Sequence, residues 1–290
     1  MQPAPRLQAQ AGPALPVAAM VLGTRVETAA ALLPRLFNLC RVAQAQAVAV
    51  ALGRPAPEGG TEILRDHLLK LFVTWPVLLG LSARPMPAGW QTDPGAIRRA
   101  VFGPEGVPAT PDEMARFLVS GHGVGPILGA IDRNFRKGEA VTAVLPFAEA
   151  TNLWTGAALE NSPAARHARN PALAALEASR GRGPLWRAAA RLFDIAALLD
   201  EGLPPPESPA RGEALVQATR GLYGLRLRAE GGIVTAFARV TPTDSLLAPG
   251  GVLAQSLAAL DAARAGQAAL VLDILDPCSP VTLTREVEHA

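Results

Sequence analysis

Up to about residue 210 the apolar side chains recur at helical spacing, with proline or glycine closing most runs; beyond it they begin to alternate. That change of period allows a mainly helical chain with one small sheet. Over 28–52 the composition is helical, with Pro34 splitting the run. Gly53 and Pro55 close it. Thr61 is placed to cap the next helix, and Glu62 adds a favourable charge to its first turn. Ile63, Leu64, Leu68, Leu71 and Phe72 carry that helix to Pro76, which should bend or end it. Thr110 starts a short helix over 111–120. The clearest amphipathic helix is 184–200, where Leu185, Ala188, Leu192, Ile195 and Leu199 form one stripe and Arg187, Arg191 and Asp194 another. Pro184 suits its first turn, and Gly202 with the prolines after it stops it.

After the linker EGLPPPESPARG, residues 222–229 alternate apolar and polar, EGG turns the chain, and 233–240 continues in strand-forming residues. Residues 253–263 and 268–275 are helical again and lead into DPC. The expected fold class is α+β, mainly helical, with a small β-hairpin or sheet in the C-terminal third. The Pro- and Ala-rich residues 1–20 should be a loosely ordered lead-in, and 21–290 one domain, because too little sequence follows the linker for a second core.

Apolar residues make up 49% of the 290 and charged residues 18%, which is the balance of a folded protein. A formal charge of +2 with scattered arginines argues against a nucleic-acid surface. The run AVAVAL is too short to span a bilayer, and prolines interrupt the N-terminus where an export signal would need apolar residues, so a cytoplasmic location is expected. GxGxxG, GxSxG and C-x-x-C are all absent, and His67, His122, His167 and His289 do not cluster. Chemistry therefore falls to two cysteines at opposite ends of the chain, Cys40 in RLFNLCRVAQ and Cys278 in DILDPCSPV. A reducing cytosol disfavours a structural disulfide. The pair can pack, form a regulatory disulfide if their Cα atoms lie within about 7 Å, or hold something between them.

Four stretches, taken in order, add a resemblance. ETAAALLPRLFNLCRVAQAQAVAVAL, QATRGLYGLRLRAEGGIV, RVTPTDSLLAPGGVLAQSLAAL and DILDPCSPV resemble the N-terminal metal motif, the E-A-P-R-G patch, the V-P-T-T-W-N region and the D-P-C-x-x-C of nickel–iron hydrogenase large subunits. The form is the shortened, degenerate one of the HupK-type hydrogenase expression/formation proteins. In the family two cysteine pairs hold nickel and iron. Here Phe37 stands at the first position of the N-terminal pair and Cys40 at the second, while Cys278 is the first of the C-terminal pair and Val281 replaces the second. Gln44 stands where the family has His, Gln217 and Thr219 replace its Glu and Pro, and Thr284 takes the place of the residue that marks the cleaved tail. Arg35 matches a family arginine but suits a solvated helix position equally well.

Taken as a guide, the resemblance implies a large-subunit-like fold that brings Cys40 and Cys278 together. It implies that nickel, which needs four thiolates, is not held, that hydrogen is not turned over and that no tail is processed. What two thiolates suit is an iron carrying cyanide and carbon monoxide, with Arg220 beside one cyanide and Pro242 and Thr243 lining the other. The implied function is an accessory scaffold of hydrogenase maturation that carries this iron transiently. Its partners would be the hydrogenase large-subunit precursor and other maturation proteins. The alternative is a metal-free protein-interaction module built on a vestigial hydrogenase fold. On residue chemistry alone, Arg220 could equally pair with an acid, and Thr243 could simply start a turn after the hairpin.

Overall fold

A computed structural model of the chain describes residues 6–36 and 40–286. Its N-terminal part consists of strand β1 (Arg6–Ala11) and helices α1 (Val17–Val21), α2 (Val26–Leu36) and α3 (Arg41–Ala51). Helices α4 (Gly60–Leu69), α5 (Trp75–Leu78), α6 (Pro94–Phe102), α7 (Pro111–Val119), α8 (Gly125–Asn134), α9 (Pro163–Arg166), α10 (Pro171–Arg180) and α11 (Pro184–Asp200) follow. Strands β2 (Glu213–Ala218), β3 (Gly221–Glu230) and β4 (Ile233–Val240) come next. Helices α12 (Pro242–Leu247), α13 (Val252–Ala258) and α14 (Ala268–Leu275) lead to strand β5 (Val281–Glu286).

Local chemistry accounts for much of this. Thr110 accepts from the Glu113 N–H while Glu113 reaches back to the Thr110 N–H, a reciprocal cap that starts α7. Gly231 (φ 55°) and Gly232 (φ 79°) supply the paired positive φ of the tight turn joining β3 to β4, as EGG implies. The hairpin is one strand wider than the alternation suggests, because β2 pairs antiparallel with β3 and makes β3 the central strand.

Several expectations need correction. From Arg6 onward the lead-in is ordered: Arg6–Ala11 pairs antiparallel with β5, Leu7 opposite Arg285 and Ala11 opposite Val281. Its partner lies at the other end of the sequence, where no local window can reveal it. Pro34 does not split the run. It is buried in the last turns of α2, and the helix ends only after Leu36. Thr61 is not the cap of α4, which starts one residue earlier behind Gly59. Pro76 does not end the helix at once either: the α-helical ladder gives way before it to a π-helical turn, Lys70–Thr74, and Pro76 lies in the first turn of α5, which runs to Leu78. The helix expected over 253–263 closes at Ala258.

Helix α11 is the axis of the larger core. It is buried from Pro184 through Ile195 and packs against α4, α8, α9, α10 and α14. Helices α2 and α3 cover one face of the three-stranded sheet through Leu33, Ala47, Ala214, Tyr223 and Leu225. The polar stripe of α11 is buried too, with Arg187, Arg191 and Asp194 each at most 3% exposed. Arg187 pairs with buried Glu160 at 2.5 Å. Spacing cannot tell a solvated stripe from one whose counter-charges arrive from other elements.

Candidate functional site

Four segments converge on the site. Cys40 immediately precedes α3, and Cys278 follows the end of α14. Arg220 sits in the two-residue loop between β2 and β3, and Pro242 and Thr243 open α12. Thr241 caps that helix in a reciprocal pair with Asp244, so the turn-starting role weighed for Thr243 belongs to its neighbour. Thr243 instead binds Cys278: its hydroxyl accepts from the Cys278 N–H at 2.8 Å and donates to the Cys278 Sγ at 2.9 Å.

Gly221 is required directly after Arg220. Its φ is 139°, and a Cβ there would fall 2.3 Å from the Asn161 Oδ1 that accepts the Leu222 N–H. The buried Arg220 donates Nε–H to the Asp276 carbonyl at 2.8 Å and pairs with the Asp276 carboxylate at 3.2 Å, within electrostatic reach of both thiols. Cys40 is 8% exposed, and its sulfur accepts from Gln44 Nε2 at 3.3 Å. Burial, then the neighbouring Cys278, pushes the Cys40 thiol up to about 11, against the pull of Arg220. Cys40 is therefore a protonated thiol at neutral pH.

Asp276 organises the turn that carries Cys278. Its backbone is left-handed (φ 55°, ψ 56°). Its carboxylate meets Lys70 at 3.1 Å, Arg220 at 3.2 Å and Arg191 at 3.3 Å. Burial alone would raise its pKa, but Arg220, Arg191 and Lys70 outweigh burial and hold it down to about 2. Behind Arg191 lies a second buried hub. His67 Nδ1 accepts from Arg191 at 2.9 Å, and its Nε2 donates to Asp194 at 2.7 Å. Asp194 also takes Arg166 at 2.8 Å and His167 at 2.5 Å. Burial drives His67 down to about 4, so it is neutral and spans the two groups as acceptor and donor. A cavity of about 30 Å³, enough for roughly one water molecule, lies among Arg187, Arg191, Arg220, Pro242, Thr243 and Asp276.

The structure thus brings Cys40, Cys278, Arg220, Pro242 and Thr243 to one place, with Gln44 beside Cys40. Phe37 lies outside the described residues. Val281 opens β5 opposite Ala11, Gln217 accepts from Arg166 at 2.8 Å, and Arg35 is exposed. The sequence reading assigned no role to Lys70, Arg191 or Asp276. Asp276 was visible in the DPC triplet, but the two cations come from distant helices and had no local signal.

No protein-family model matches the chain. Among solved structures it is similar to the reduced, active nickel–iron–selenium hydrogenase of Desulfomicrobium baculatum, with a TM-score of 0.57 at 13% identity, covering 94% of this chain and 96% of that one. It is likewise similar to the reduced nickel–iron–selenium hydrogenase of D. vulgaris Hildenborough, with a TM-score of 0.55 at 15% identity, covering 94% and 95% of the two chains. These likenesses define the class: a protein with the fold of nickel–iron hydrogenase large subunits. At 49% identity over 280 residues, 95% of this chain and 92% of the relative, it matches the hydrogenase expression/formation protein HupK of Rhodobacter capsulatus. The chain belongs to that HupK family of hydrogenase expression/formation proteins.

Proposed function

We propose that the protein is an accessory scaffold of hydrogenase maturation. It carries an iron–cyanide–carbonyl fragment transiently on Cys40 and Cys278 and delivers it to a large-subunit precursor. One observation carries this reading: the only two cysteines of the sequence, from opposite ends of the chain, lie within electrostatic reach of each other and of one buried guanidinium.

The donor set fits such a cargo. Among the described residues no group of three or more His, Cys, Asp or Glu side chains comes together to hold a metal ion, so the protein offers two thiolates. An iron bound there has to bring its remaining ligands with it, as an iron with cyanides and carbon monoxide does. Arg220 supplies fixed N–H donors suited to a cyanide nitrogen, and Thr243 a hydroxyl beside Cys278. Nickel, for which the resemblance implies four thiolates, does not fit two, and this supports reading the protein as one that does not turn over hydrogen. Loading displaces the proton of Cys40, and a site closed by only two sulfurs can release its cargo. Among the described residues no helix is long and apolar enough to cross a membrane.

The test is anaerobic purification of the chain co-produced with the hydrogenase maturation machinery, followed by iron analysis and infrared spectroscopy. Stoichiometric iron with cyanide and carbonyl bands is expected, and both Cys40→Ser and Cys278→Ser should lose them. If both variants keep the bands, the ligand assignment is wrong. Metal-free protein that still binds the precursor would favour the interaction-module reading.

A further inference from the structure

The residue that caps a helix normally turns its own side chain onto the free N–H groups of the second and third helical positions. Cys40 holds that place at the head of α3, yet it makes no such bond. The donors are taken by another element. Glu62, in the first turn of α4, reaches across so that the Val42 N–H meets both its carboxylate oxygens at 3.1 Å and the Ala43 N–H meets one at 3.4 Å. Burial pushes the Glu62 carboxyl up while the Val42 and Ala43 amides hold it down, and a carboxylate outcompetes a sulfur for these donors because charge-assisted bonds are the stronger ones and the helix start favours the anion. The Cys40 sulfur is left beside Gln44 Nε2, within electrostatic reach of Cys278 and Arg220.

We infer that Glu62 is a positioning residue for Cys40: by occupying the amide donors at the head of α3, it keeps the sulfur turned toward Cys278. This rests on the reading of Cys40 and Cys278 as a shared ligand pair. Without Glu62, a rotation about χ1 takes the sulfur onto the Val42 and Ala43 amides. There a thiolate is stabilised by the helix start, as in reactive cysteines, and is withdrawn from its partner.

The experiment uses the full chain and two readouts. Binding of Cd²⁺ alone is followed by the thiolate-to-cadmium ultraviolet absorption, and alkylation of Cys40 by iodoacetamide is followed in the Cys278→Ser background. Glu62→Ala should weaken Cd²⁺ binding about tenfold or more and speed Cys40 alkylation by about the same factor. Glu62→Gln should restore much of both, since its amide oxygen still accepts the Val42 N–H. Glu62→Met, which keeps the volume without an acceptor, replaces the alanine variant if that one does not fold. Wild-type affinity and wild-type alkylation in the acceptor-less variant would overturn the inference. If the wild-type protein itself fails to bind Cd²⁺ through both thiols, the shared-pair reading falls, and alkylation alone decides the role of Glu62: because loss of the Glu62 charge itself favours the thiolate, faster alkylation in the acceptor-less variant than in Glu62→Gln supports it, and equal rates in the two refute it.

Discussion

Lowering the pH from 7 to 5 should cost the fold about 2 kcal/mol through His67 alone, given a folded pKa of about 4 against about 6.5 in the unfolded chain. The imidazole is fully buried, accepting from Arg191 at Nδ1 and donating to Asp194 at Nε2. Protonation would turn the acceptor into a second donor aimed at a guanidinium. The folded pKa lies below the unfolded one, so the unfolded chain takes up the proton first as pH falls. Stability from His67 is intact above about pH 6.5, is lost down to about pH 4 and levels off below, for a total near 3 kcal/mol. The comparison is with His67→Gln, whose amide can accept from Arg191 and donate to Asp194 but cannot titrate. Urea unfolding followed by tryptophan fluorescence between pH 4 and 7 should show the wild type losing about 2 kcal/mol more than the variant by pH 5. Parallel curves for the two proteins would refute the assignment of a neutral, buried His67.

Two further outcomes follow from the turns that hold the site. Asp276→Asn removes the one carboxylate shared by Lys70, Arg191 and Arg220, and should cost about 2–3 kcal/mol at pH 7, the free energy that corresponds to a carboxyl held near 2. A urea midpoint unchanged from wild type would rule out the three-cation clamp. Gly221→Ala forces a Cβ to within 2.3 Å of Asn161 Oδ1 at a φ of 139°, and should destabilise by at least about 2 kcal/mol. An alanine variant as stable as wild type would mean that the loop carrying Arg220 is less tightly held than its geometry implies.

What the sequence determined by itself is whatever a window of a dozen residues contains. The cap at Thr110, the proline start and glycine stop of α11, and the Gly231–Gly232 turn are local bargains between a side chain and the nearest backbone groups, and they were legible as such. The order of four short motifs also pointed to the family and to the five residues that meet at the site. Tertiary structure decided the rest, because the decisive partners are remote in sequence. The strand at Arg6–Ala11 exists only because Val281–Glu286 lies beside it. The charged stripe of α11 is buried only because Glu160, Asp276 and His67 come from other elements to meet it. Glu62 looked like a helix-start charge for its own helix and instead serves the helix behind Cys40. A buried charge is tolerable only with its counter-charge in place, and where that counter-charge comes from is a property of the folded chain, not of its local sequence.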